Sequence, residues 1–123
     1  MIIALIAIFG GAGAATRFVV DGLIRARWTT AFPIGTVAIN ITGSLLLGFL
    51  AGAALTGPVG GHGLDAATIG FCGGYTTFST AMVDTVRLVQ ARDYRRALLN
   101  AAGTGALTVA AAAGGLALAA VIF

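Results

Sequence analysis

Apolar residues fill four long blocks of the chain, separated by short polar connections. A helix needs roughly 20 apolar residues to cross a bilayer core of about 30 Å. Windows at about 1–20, 32–55, 66–88 and 97–123 reach that length. The predicted fold is therefore all-α, with four transmembrane helices in one membrane domain over 1–123. The connections are "DGLIRARWTTA", "TGPVGGHGLD" and "VQARDYRR". Pro58 and its neighbouring glycines mark a turn, because proline cannot continue a helix. The third window is interrupted by "GGYTTFST" at 73–80, where two glycines precede four hydroxyl side chains.

Composition agrees with that pattern. The chain is 59% hydrophobic and 9% charged, with a mean hydropathy of +1.01. A soluble domain is about a quarter charged. The net charge of +3 is carried by arginines at segment ends, so it does not mark a nucleic-acid surface. A lone cysteine, Cys72, has no internal disulfide partner and is expected to pack as a small apolar group. With one histidine, His62, it falls far short of a zinc ligand set. The start, "MIIALIAIFGGAGAAT", lacks the basic head of a signal peptide and reads as a first transmembrane helix.

Four spans alternate sides. Arg25, Arg27, Arg92, Arg95 and Arg96 lie toward the first and third connections, and Arg87 approaches the same face. Basic residues favour the cytoplasm. Connections one and three are thus expected inside, with both termini outside the plasma membrane.

Polar groups inside a span need partners or a watery lining. Gly73 and Gly74 weaken the third helix, and Thr76, Thr77, Ser79 and Thr80 can bond freed backbone groups. The result is either a kink with back-bonded hydroxyls or an unwound turn whose carbonyls face a small cation. Asn40 sits near the middle of helix two, in "GTVAINITGSLLLGF". It either clamps two helices or turns an N–H toward an anion path. Thr36, Asn40 and Ser44 share one helical face, as do Asn100, Thr104 and Thr108 in helix four. Stripes of amides and hydroxyls without an acid or base suggest a solvated track rather than a catalytic site. Arg17, in "GGAGAATRF", either snorkels to an interface or stands as a fixed positive charge. Asp21 and Asp84 lie toward the arginine-rich ends and can pair there. Phe78 is a lipid-facing or packing ring by default, and its ring edge can also face an anion. No phosphate-binding loop, catalytic triad or metal cluster is present, so an enzyme is not expected.

"GGAGAATRF", "GTVAINITGSLLLGF" and "GFCGGYTTFST" together resemble the Fluc (CrcB) fluoride channels in order and spacing. The resemblance implies an antiparallel dimer, with two fluoride paths along the seam and a structural sodium ion that is bound but not transported. It assigns the sodium ligands to the backbone carbonyls of Gly73 and Thr76. It places Asn40, Phe78, Asn100, Thr104 and Thr108 on the fluoride pore, and gives Arg17, Thr77 and Ser79 structural or electrostatic roles.

Two departures accompany the resemblance. A second pore phenylalanine is expected at residue 81, where this chain has Ala81. The one-sided arginines suit a fixed orientation, hence a heterodimer with an oppositely oriented homologous subunit rather than a dual-topology homodimer. A small four-helix multidrug-type exporter relies on a membrane glutamate, and this chain has no Glu. A non-conducting partner subunit is the other alternative.

Overall fold

The computed structural model describes residues 1–57 and 60–123. Pro58, the predicted turn residue, lies outside the described residues. The order is α1 (Ile2–Arg27), α2 (Ile34–Thr56), α3 (His62–Ala66), a π-helical turn (Ala67–Phe71), α4 (Cys72–Tyr75), α5 (Phe78–Gln90), α6 (Tyr94–Leu98), a second π-helical turn (Leu99–Gly103) and α7 (Thr104–Ile122). Among the described residues there is no strand. The third span is α3 to α5, broken after Tyr75. The fourth is the continuous helix Tyr94–Ile122, which like α1 and α2 is long and apolar enough to cross a membrane.

The elements follow the predicted blocks, with differences at the ends. Helix α1 continues past residue 20 to Arg27, so Arg25 and Arg27 ride its last turn rather than a loop. Nothing in "DGLIRAR" breaks a helix, and an Asp21–Arg25 ion pair at 2.9 Å links successive turns. The cationic end also complements the negative pole of the helix dipole. The third span begins at His62 and the fourth at Tyr94, each a turn before its apolar block. Asp93 caps α6 by accepting from the Arg96 N–H. Helix α5 closes in a Schellman motif: the Arg92 N–H reaches the Val89 carbonyl and the Asp93 N–H reaches that of Leu88. Arg92 takes the left-handed position there, at φ 57°.

Packing depends on small residues, which let backbones approach closely in lipid. Helices α2 and α7 cross at Gly48 and Gly115. A Cβ at Gly48 would lie 2.8 Å from the Ala112 carbonyl carbon, and one at Gly115 would lie 2.7 Å from the Phe49 nitrogen. Helix α1 meets the third span in the same way, with Gly74 against the Gly10 backbone. The buried side chains are mostly small, including Ala53, Ala66, Cys72, Ala97 and Ala119, while many large apolar side chains point outward. That distribution suits a chain whose solvent is lipid. Cys72 packs as the apolar group expected of it.

Candidate functional site

The break is two residues long. Thr76 (φ −77°, ψ 157°) and Thr77 (φ −147°, ψ 118°) are extended, between the end of α4 and the start of α5. In an unbroken helix the Thr77 N–H would bond to the Gly73 carbonyl. Here it donates to Asn40 Oδ1 at 2.8 Å, while Asn40 Nδ2 donates to the Thr77 carbonyl at 2.9 Å. One amide from α2 thus takes over both backbone groups of Thr77, which is buried at 8% exposure.

Local hydroxyls complete the repair. Thr77 Oγ1 accepts from the Thr80 N–H and caps α5. Thr76 Oγ1 donates back to the Cys72 carbonyl at 2.8 Å. The Ser79 hydroxyl is 3.4 Å from that of Thr77. From α1, Arg17 donates to the Thr76 carbonyl at 3.2 Å. The hydroxyl-rich stretch is thus unwound over two residues, and some of its hydroxyls back-bond.

A groove of about 260 Å³ runs beside the break, between α2, α5 and the fourth span. It brings together Asn40, Phe78, Asn100, Thr104 and Thr108, all the side chains assigned to a pore from sequence. Thr76, Thr77, Ser44 and Ala81 also line it. Phe78 is 78% exposed, so its ring stands at the surface of the chain rather than in a core. Asn100 is buried at 1% exposure and lies on the second π-helical turn. Its Nδ2 donates to the Ala81 carbonyl and to Thr85 Oγ1, and its Oδ1 accepts from the Thr104 hydroxyl. A π turn rotates the residues that follow it relative to those before, and such turns gather at functional sites.

On the other side of the break, a cavity of about 250 Å³ is lined by Arg17, Asp21, Thr36, Thr77 and Thr80. It shares Asp21 and Thr36 with a wider cavity of about 330 Å³ at the arginine-bearing ends of α1 and α5. There Thr36 donates to Asp84 Oδ2 at 2.9 Å, and Arg87 approaches the same carboxylate at 4.0 Å. The acids toward the arginine-rich ends thus do find arginines.

The family model described as CrcB-like protein, camphor resistance (CrcB), matches residues 4–116. The chain belongs to the CrcB family. A fluoride-specific ion channel FluC 1 of Leifsonia xyli subsp. xyli is 47% identical over 123 aligned residues, covering 96% of this chain and 85% of the relative. A fluoride-specific ion channel FluC 2 of Cutibacterium acnes is 44% identical over 110 residues, covering 89% of each chain. A FluC 2 of Mycolicibacterium paratuberculosis is 47% identical over 95 residues, covering 77% of this chain and 75% of the relative. In this CrcB chain, sequence reasoning missed three working parts of the site. They are the Thr85 hydroxyl behind Asn100, the Ala81 carbonyl beside it, and Thr77 as the partner that the Asn40 amide clamps. Each joins residues far apart in sequence, and only the unpaired polarity of Asn40 and Asn100 signalled that partners were needed.

Proposed function

We propose that this CrcB chain is a subunit of a fluoride-specific channel that lowers cytoplasmic fluoride by passive efflux. The observation that carries the reading is the convergence of Asn40, Phe78, Asn100, Thr104 and Thr108 on one groove beside a broken span. The relatives' names point the same way. Fluoride holds its water tightly, so a path must replace that water with hydrogen-bond donors. It must also bind the ion weakly enough to release it. Amides, hydroxyls and a ring edge meet both needs, and among the described residues no ionised side chain lines the groove to trap the anion.

A second subunit completes the path. The groove opens on the surface of the chain, where a lone subunit would expose amides and hydroxyls to hydrocarbon at high cost. An antiparallel partner would cover it. The break suits the sodium ion that the family resemblance implies. With the Thr77 N–H diverted to Asn40, the Gly73 carbonyl loses its helical donor, and Gly73 is exposed with open space around its Cα. The Thr76 carbonyl also lies outside any helix, though Arg17 already donates to it. Two subunits would offer these carbonyls to one ion, which supplies a fixed positive charge at the seam and is not transported.

We further read the chain as one half of a heterodimer, with connections one and three cytoplasmic and the termini outside. The arginines at one end of the bundle support a fixed orientation. Ala81 lines the groove where the resemblance expects a second ring, which a homologous partner would provide. Ala81 also favours a second reading, a non-conducting partner subunit.

Liposomes loaded with fluoride test these readings. Efflux from this chain alone supports a homodimer, efflux only with a homologous subunit supports the pair, and drug-driven proton flux supports an exporter. Silence in every arrangement defeats the channel reading. Mapping the C-terminus in cells tests orientation: a single outside location is expected, and a mixed population would refute fixed topology.

A further inference from the structure

The groove's polar side chains differ in whether they have a hydrogen left to give. Asn100 is sealed at 1% exposure, with its amide engaged by Ala81 and Thr85. The hydroxyls of Thr76, Thr77, Thr104 and Thr108 donate to the Cys72 carbonyl, Thr80 Oγ1, Asn100 Oδ1 and the Gly105 carbonyl respectively. Asn40 is buried at 7% exposure, and its Nδ2 spends one hydrogen on Thr77, leaving the second without an acceptor among the described residues. Ser44 is the other exception. Thr42 and Thr56 on the same helix fold their hydroxyls back onto the carbonyls of Ala38 and Gly52. Ser44 has no hydrogen-bond partner among the described residues, although it lines the groove with Asn40.

We propose that Ser44 is a second fluoride-binding donor, one helical turn along α2 from the free Asn40 N–H. This rests on the channel reading above and adds a residue to its binding path. Side chains four apart on a helix have Cβ atoms about 5–6 Å apart. An anion leaving the Asn40 amide therefore meets the Ser44 hydroxyl next, with no protein bond to break. At Thr104 or Thr108 the hydroxyl must first release a carbonyl or amide oxygen. The two standing donors make the entry to this stretch, and the helix-four stripe follows by exchange.

The test is fluoride efflux from liposomes by whichever assembly conducts, compared with its Ser44→Ala, Ser44→Thr and Thr104→Val variants. Elution of each variant as the intact assembly in detergent confirms folding. Ser44→Ala is expected to slow efflux about tenfold, the worth of one hydrogen bond to a charged group. Ser44→Thr should regain most of the rate, and Thr104→Val should lose less than Ser44→Ala. Undiminished efflux by a folded Ser44→Ala channel would overturn the assignment. So would equal losses in Ser44→Ala and Ser44→Thr, since shape rather than the hydroxyl would then matter. A wild type that retains its fluoride would instead defeat the channel reading, a result distinct from either.

Discussion

Replacing Asn40 with alanine removes both sides of the clamp on the broken span. The Thr77 N–H and carbonyl, bonded to Asn40 at 2.8 and 2.9 Å, both lose their partner. Thr77 is 8% exposed, so lipid-depth water does not replace the amide. An orphaned buried group costs about 1–3 kcal/mol, which gives roughly 2–6 kcal/mol for the pair. Hydrogen bonds between membrane helices measure lower, about 0.6 kcal/mol on average and about 1.7 at most, because the unfolded chain in the membrane finds partners too. Two such bonds at the upper value give roughly 3 kcal/mol, and the ranges overlap near 2–3 kcal/mol. Reversible unfolding in mixed detergent, followed by circular dichroism, measures this loss. Hydrogen exchange at the Thr77 amide gives a local readout and should become fast in the variant. Asn40→Asp keeps an acceptor for the Thr77 N–H but sets a carboxylate against the Thr77 carbonyl and the anion path. It should suppress fluoride efflux as well as stability. An Asn40→Ala protein within about 0.5 kcal/mol of wild type, the range of an ordinary surface change, with a protected Thr77 amide would refute the clamp.

Two further outcomes are expected. Gly48→Ala drives a methyl into the Ala112 backbone and should cost about 1–3 kcal/mol by overpacking, whereas Gly114→Ala, with open space around it, should gain up to about 1 kcal/mol from helix propensity. Equal effects in the same unfolding assay would show that the α2–α7 approach is looser than described. The Asp93 carboxyl is held below its usual 3.8 chiefly by the Arg96 side-chain hydrogen bond. A depressed carboxylate stabilises fully above its unfolded value and loses that effect as pH falls through its folded value. The melting difference between wild type and Asp93→Asn should therefore be full at neutral pH, begin to shrink as pH falls past 3.8 and vanish only below the lowered folded value; a difference that grew in acid would contradict it.

Much of this architecture was legible in the order of residue types. Hydropathy marks the spans because a bilayer imposes a minimum apolar length. The break was legible because Gly73, Gly74 and the hydroxyls after them are chemically local: they weaken a helix and offer to repair it within a few residues. Boundaries were less legible. Helix α1 runs on to Arg27 because charged residues at a membrane surface continue a helix as readily as they leave it, so hydropathy marks the edge of the lipid and not the end of the helix.

The two readings left open for Asn40 show where local chemistry stops. An amide at that depth had to be satisfied, but its partner lies 37 residues away and depends on how α2 packs against the break. The structure shows Asn40 as a clamp, with one Nδ2 hydrogen on Thr77, and places it on the lining of the groove. Ser44 and Thr104 differ locally instead: Thr104 donates to Asn100 Oδ1 four residues back on its own helix, while Ser44 has no hydrogen-bond partner among the described residues. Span number, break position and polar inventory are properties of neighbouring residues, and the chain by itself determines them. How the Asn40 and Asn100 amides are spent is decided by contacts between distant elements, because a hydrogen bond needs a second atom within about 3 Å, and only tertiary packing brings that atom to these two side chains.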